Sequence, residues 1–155
     1  MKRNIRPKAF ETNSSSSHSL VIADIGNLMP IPFSESVMES GIINVYSNEY
    51  GWEEEYFNGV ENKLSYLYTD AMLDSNENDY PDPEDNDKLR MIVDAVKEHT
   101  GCDVNFVKER GYYPFGYIDH QSVGLCNDVW CRGVEGVKQF VFNPNSYFET
   151  DNDNH

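Results

Sequence analysis

Short apolar segments bounded by polar and turn-forming residues predict the β-strands of this chain. They are rich in β-branched and aromatic side chains, which favour the pleated geometry of a strand. In two of them, polar residues alternate with apolar ones, which indicates that one face of the strand is buried. The predicted strands are SLVIADI at residues 19–25, IINVYSNEY at 42–50 and CDVNFVKE at 102–109.

Apolar residues that recur every three or four positions predict two helices. The first covers GVENKLSYLYTDAML, residues 59–73, and the second, which has the clearest pattern, covers residues 87–100. Gly101 follows the second helix directly, at the position where a left-handed residue ends many helices. The buried stripe predicted for the second helix consists of Leu89, Ile92, Val93 and Val96.

Three other segments carry weaker patterns. Residues 29–41, which include Pro30 and Pro32, predict a loop, and GWEEEYF at 51–57 predicts a turn that leads into a helix. Residues 125–137 fit both a helix and irregular structure, because the glycines in and around this segment weaken a helix.

The two ends of the chain together indicate the fold class. KQFVFNPNSYFET, residues 138–150, predicts a strand, a turn at NPNS and a second strand. Strands early and late in the chain with helices between them predict an α+β fold with a mixed or antiparallel sheet and two or three helices. A length of 155 residues, 39% of them hydrophobic, fits a single domain over residues 1–155. Within it, the eight acids of residues 70–87 predict a solvated surface loop, and residues 150–155 predict a polar tail.

Net charge is the most unusual property of the composition. The chain carries 12 basic and 27 acidic side chains, and four of the basic ones lie within the first eight residues. The other 147 residues therefore have a net charge of −19. Because phosphate backbones are bound by Lys and Arg, this charge argues against direct nucleic-acid binding by the body of the protein. It fits a basic partner surface, while high solubility is the simpler explanation.

The cysteines and the N-terminus favour a cytoplasmic protein. Cys102, Cys126 and Cys131 are odd in number and form no CxxC pair, which indicates reduced, structural thiols. The start MKRNIRPKAF is basic but lacks the apolar stretch of a signal peptide, and no window approaches the length of a membrane span.

The polar segment NSSSSHS, residues 13–19, has two alternative interpretations. Its hydroxyls and backbone N–H groups suit a cradle for a phosphate or another ligand. Alternatively, the hydroxyls satisfy the backbone of a turn that leads into the first buried strand. The candidate ligand-binding residues are Asn13, Ser14, Ser15, Ser16, Ser17 and Ser19.

A catalytic hypothesis joins this segment to DHQS at residues 119–122. A histidine acts as acid or base when a carboxylate orients it, so the candidates are His18, Asp119, His120 and Ser122. Neighbours on an extended chain face opposite sides, so His18 cannot pair with the adjacent Ser19 and needs a partner from a distant segment. We predict no metal and no cofactor, since no short zinc motif occurs and the acidic loop lacks the turn glycine of a calcium loop.

Several segments together carry a family resemblance. FETNSSSSHS near the start, followed by GWEEEYF, KLSYLYT, DHQS and the closing FVFNPNSYFETDNDN, resembles a family of small uncharacterised proteins of bacteriophages and some bacteria. The resemblance implies a phage gene product that acts in the host bacterial cytoplasm, in host takeover, counter-defence or phage metabolism. It implies no catalytic or binding residue.

Three functional hypotheses follow. The leading one is a phage accessory protein that binds a basic surface of a host nucleic-acid-handling or defence protein stoichiometrically. The alternative is a small enzyme or phosphate-binding domain that uses NSSSSHS with DHQS, and a third is a minor virion or assembly protein. For the leading hypothesis the candidate protein-binding residues are Asp74, Glu77, Asp79, Asp82, Glu84, Asp85, Tyr112 and Tyr113.

Overall fold

Strands and helices alternate along the chain, and their arrangement confirms the predicted α+β class. The structure is a computed structural model that describes residues 2–5, 16–24, 26–51, 55–73, 85–107, 116–118, 122 and 124–152. The strands are β1 (Lys2–Ile5), β2 (Ser16–Ile22), β3 (Ile42–Tyr46), β4 (Glu49–Tyr50), β5 (Glu55–Phe57), β6 (Asp103–Val107), β7 (Tyr117–Ile118) and β8 (Tyr147–Asn152). The helices are α1 (Glu35–Ser40), α2 (Val60–Met72), α3 (Asp87–Thr100), α4 (Asn127–Cys131) and α5 (Gly133–Phe142).

The largest sheet joins the two ends of the chain. Its strand order is β1-β2-β8-β5, and all neighbours are antiparallel. The central pair runs in register from Ser16 opposite Asn152 to Val21 opposite Tyr147. Positions 18 to 22 of β2 are all buried, as expected for a strand that is covered on both faces.

Two shorter sheets are parallel. β3 pairs with β6, and β4 pairs with β7. Because parallel neighbours need a long crossover, α2 and α3 lie between β3 and β6 along the chain. The sheets of this fold are therefore both antiparallel and parallel, in agreement with the mixed arrangement that the sequence predicts.

Both strongly periodic helices are confirmed. α2 lies within the predicted residues 59–73, and α3 has the predicted bounds. Asn86 caps the start of α3, because its side-chain oxygen accepts a hydrogen bond from Leu89 N at 3.0 Å. Gly101 ends α3 in the left-handed conformation with φ of 78°, as predicted. Of the described helices, none is long and apolar enough to cross a membrane.

One hydrophobic cluster connects the sheets and the helices. The helices pack over the inner faces of β2, β3 and β8, and aromatic rings fill much of the space between them. The largest fully buried apolar side chains are Tyr66, Tyr68, Phe140, Phe142, Phe148, Leu20, Ile22, Leu64, Leu67, Met72 and Leu89.

The prediction of a strand at KQFVF is wrong. These residues belong to α5, where Val137, Phe140 and Val141 are fully buried at helical spacing. A Cβ on Gly136 would lie 2.4 Å from the Val129 carbonyl oxygen, so the absent side chain lets α5 approach α4 closely. The glycine that weakens the helix pattern is thus needed for helix packing. The turn at NPNS and the strand after it are confirmed by the Ser146 N–H bond to Asn143 O at 3.0 Å and by β8.

Two short elements also differ from the sequence interpretation. The loop predicted for residues 29–41 contains α1, which Ser34 caps by accepting a hydrogen bond from Val37 N at 3.4 Å. The turn into a helix predicted at residues 51–57 contains β5, which pairs with β8. With α1 and the two C-terminal helices, the described residues hold five helices, where the pattern predicts two or three.

The predicted acidic loop and polar tail are both shorter than expected. Asp70 lies inside α2 and is buried, because the indole N–H of Trp130 donates to its carboxylate at 2.8 Å and Lys88 Nζ lies 3.6 Å away. Residues 74–84 lie outside the described residues, and the acids that remain at the loop's end, Asp85 and Asp87, are exposed. At the other end, β8 continues to Asn152 and Thr150 is buried, so strand pairing takes up the first part of the predicted tail.

The three thiols differ in exposure, which gives a testable prediction. Cys102 and Cys126 are buried and Cys131 is exposed. Burial raises the pKa of the Cys126 thiol well above its usual value, and the nearby Asp70 carboxylate raises it further. We expect a thiol reagent such as DTNB to label one cysteine of the native protein at pH 8 and all three in denaturant. The Cys131→Ser variant should then show almost no native labelling; fast labelling of that variant would contradict the buried positions.

Candidate functional site

The serine segment leads into the sheet. Ser16 and Ser17 are the first residues of β2 and lie opposite Asn152 and Asp151 of β8. Ser19 Oγ donates to Glu149 Oε2 at 3.4 Å. Asn13, Ser14 and Ser15 lie outside the described residues. The described half of the segment is therefore a paired strand, while a ligand cradle in the other half stays a prediction.

His18 is the most enclosed of the predicted site residues. Its exposure is 0%. Ring nitrogen Nε2 lies 2.9 Å from the Gly51 carbonyl oxygen, and Nδ1 lies 2.9 Å from the Tyr66 hydroxyl. A carbonyl oxygen only accepts, so Nε2 carries the proton, and in the neutral ring Nδ1 accepts from the Tyr66 O–H. The imidazole thus connects β2 to α2 and to the chain just after β4.

Ser122 contacts His18, as the catalytic hypothesis requires, but the contact is with the backbone of His18 and not with its ring. The His18 N–H donates to Ser122 Oγ at 3.2 Å, and Ser122 has an exposure of 1%. The hydroxyl therefore contacts the main chain of His18, and the ring nitrogens have the partners given above. Asp119 and His120 lie outside the described residues. Catalysis by these four residues stays a prediction, but buried groups with these partners are typical of a structural junction.

Little of the predicted protein-binding surface falls on described residues. Asp85 is exposed just before α3. The others, Asp74, Glu77, Asp79, Asp82, Glu84, Tyr112 and Tyr113, lie outside the described residues.

The structure shows a cleft that the sequence pattern does not predict. It runs along β3, between α1 and the first two turns of α2, and has a volume of about 690 Å³. We call it the β3 cleft. Its apolar wall includes Phe33, Val37 and Leu64, and its polar wall includes Asn44, Ser47, Asn48, Asn62 and Ser65.

Ser47 is the most buried of the polar side chains that line the β3 cleft. The residue follows the carboxyl end of β3 and has an exposure of 4%. Among the described residues, its hydroxyl is the one buried side-chain oxygen or nitrogen without a hydrogen-bond partner. A buried hydroxyl left unpaired costs about 1–3 kcal/mol of stability, because the group has lost its hydrogen bonds to water.

Among the residues that the structure describes, the charges that line or adjoin the β3 cleft are all negative. Glu49 and Glu61 line it, and Glu35 and Glu39 lie on the adjoining α1. In the described part of the chain, these four exposed glutamates have no ion pair. Their charges are therefore uncompensated and available to a cationic partner.

The positive side chains that the structure describes lie away from the cleft. Each described Lys or Arg side chain that reaches solvent forms an ion pair with an acid; these side chains are Lys88, Arg90, Lys97, Arg132 and Lys138. One signal in the sequence could have located the acidic cleft. Between Lys8 and Lys63 the chain has nine acids and no Lys or Arg, and this stretch supplies the cleft's glutamates.

Lys63 is the second feature that sequence reasoning missed. It has an exposure of 0%, and its ammonium donates to Asn143 O at 3.1 Å and to Ser146 O at 3.0 Å. Burial lowers its pKa to about 8. No carboxylate of the described residues forms a salt bridge with it. These hydrogen bonds of Lys63 connect α2 to the turn between α5 and β8. At 0% exposure the ammonium is not accessible to a substrate.

Comparison with protein-family models, with curated proteins and with solved structures finds no match for this chain. The geometry and charge of the β3 cleft are therefore the features that point to a function.

Proposed function

We propose that this protein acts by stoichiometric binding to a basic segment of a partner protein, and that the β3 cleft is the contact surface. The observation that carries the proposal is the set of uncompensated glutamates at a cleft of about 690 Å³. Glu49 and Glu61 lie in the cleft itself, while the solvent-exposed cations of the described residues are paired on α3, α4 and α5.

The resemblance to phage proteins supports a choice of partner. Within the proposal, the partner is a host nucleic-acid-handling or defence protein, and binding takes place in the bacterial cytoplasm. Such proteins carry basic grooves for phosphate backbones, and an acidic surface competes for the same groove. The acids of residues 74–85, which the sequence predicts as part of the binding surface, add to the negative charge of the protein.

A pair of charge variants tests the proposal. Glu49→Gln/Glu61→Gln removes two charges from the cleft without changing the size of the side chains. The control is Asp94→Asn/Glu135→Gln, which removes two exposed charges from α3 and α5 and leaves the Glu98 partner of Lys138 in place. Both variants have the same net charge, so an effect of overall charge is the same in each.

We expect the cleft variant to weaken binding to the cognate host protein about tenfold or more, and the control to weaken it less than threefold. The wild-type affinity should also fall as salt rises, because screening reduces long-range attraction. The measurement is calorimetry with a partner isolated from host lysate at low salt on the immobilised protein. Equal effects of the two variants, or the absence of any retained basic protein, would refute the proposal.

A further inference from the structure

We infer that the β3 cleft binds its partner as an extended, lysine- or arginine-containing peptide that adds a strand to the open edge of β3. This inference rests on the proposed function and specifies how the same site recognises its partner. It derives from the backbone geometry of β3, which is independent of the charge argument.

The hydrogen-bond pattern of the parallel pair shows which backbone groups of β3 are unpaired. The Asp103 N–H donates to Gly41 O at 2.8 Å, and Ile42 lies opposite Asp103. In a parallel ladder, alternate residues of each strand point both backbone groups at the neighbour. Residues 41, 43 and 45 therefore point toward β6, and residues 42, 44 and 46 point toward the opposite edge.

The beginning of that opposite edge is already covered. Ser40 Oγ accepts from Ile42 N at 3.2 Å and lies 3.1 Å from Ile42 O. No such partner exists in the described part of the chain for the backbone groups of Asn44 and Tyr46. The edge thus presents two N–H and two C=O groups in alternation, which is the pattern that an added strand pairs with.

The surroundings of this edge fit a peptide chain. The β3 cleft follows the strand from Ile42 to Glu49, so the open edge faces the same space that its side chains line. Ile42 and Tyr46 are 51% and 47% exposed on the outer face, where a bound strand would cover them.

Charge selects the occupant. Side chains of a strand alternate between two faces, so every second residue of the peptide can reach the glutamates of the cleft. Lysine or arginine at those positions compensates Glu49 and Glu61. A second copy of this chain is disfavoured, because pairing β3 with β3 would bring the same uncompensated glutamates together.

The probe for the experiment is a blocked nine-residue peptide of alternating lysine and threonine. We expect it to bind the ¹⁵N-labelled protein at low salt and to slow hydrogen exchange of the Asn44 and Tyr46 amides at least tenfold. The amides of Ile43 and Val45, which already pair with β6, are internal controls and should change little. The same peptide with N-methyl groups on its central residues keeps its charge but loses its donors, and should bind at least tenfold more weakly.

The outcomes separate the two proposals. One outcome is that the peptide binds the wild type, and binds Glu49→Gln/Glu61→Gln more weakly, without protecting the Asn44 and Tyr46 amides. In that case strand addition is wrong and charge-driven binding stands. If neither the peptide nor a basic partner binds, both proposals fail. A wild-type dimer in sedimentation, with these two amides protected before peptide is added, would show that a second copy takes the edge and would overturn the inference.

Discussion

Replacing His18 with alanine should lower the free energy of unfolding by about 3 kcal/mol or more. The side chain is fully buried, so its removal leaves a cavity beside β2. It also leaves the Gly51 carbonyl without the N–H that lies 2.9 Å away and takes one partner from the Tyr66 hydroxyl. The measurement is urea unfolding followed by tryptophan fluorescence and circular dichroism.

The adjacent serine provides the matched control. Ser19→Ala removes a hydroxyl whose contact with Glu149 is 3.4 Å long, and we expect a loss below about 1 kcal/mol. The pair also separates a structural from a catalytic His18. A His18→Ala protein with wild-type stability and a lost biological effect would favour the catalytic hypothesis and contradict the structural role.

The second large effect is a pH dependence at Lys63. Burial places its folded-state pKa at about 8, below the value of 10.5 that an unperturbed lysine has. Between these two values the unfolded chain binds more protons than the folded one, so the free energy of unfolding rises with pH. Below pH 8 the lowered pKa of Lys63 reduces the free energy of unfolding by on the order of 3 kcal/mol, and this reduction becomes small as pH approaches 10.5.

The Lys63→Met variant isolates this effect from other titrating groups. Methionine has a similar unbranched shape and no charge, so the tyrosines and cysteines contribute equally to both proteins. We expect the stability of the wild type relative to Lys63→Met to increase by about 2 kcal/mol from pH 7 to pH 9.5. A difference that stays constant or decreases over this range would contradict a charged, buried ammonium bonded to the Asn143 and Ser146 carbonyls.

The two helices that the sequence predicts correctly are those whose apolar residues recur at helical spacing over several turns. α3 shows this best, since its stripe, its Asn86 cap and its terminal Gly101 are all local signals. α5 was missed because its apolar run at residues 140–142 resembles a strand, although Val137, Phe140 and Val141 are buried at helical spacing. Gly136 weakens the helix pattern further. A glycine is needed there because the Val129 carbonyl of α4 lies too close for a side chain, and the sequence does not show that contact.

The candidate site was only partly predictable. The catalytic hypothesis joins the serine segment to DHQS, and the structure shows one contact between them, from the His18 N–H to Ser122 Oγ. The sequence does not show that the contact is with the backbone, or that Tyr66 and Gly51 take the imidazole. The β3 cleft is assembled from α1, β3 and α2, and no local pattern reports the free space between elements.

The sequence by itself determined the α+β class, the two periodic helices, the main strands and the excess of negative charge, because periodicity, caps and charge are properties of neighbouring residues. Only the tertiary structure decided which charges are compensated, which buried polar groups have partners and which strand edge is open. Those properties depend on residues far apart in the chain, such as Lys63 and the Asn143 carbonyl. For the same reason, the unpaired Ser47 hydroxyl and the open edge of β3 become visible only after the chain has folded.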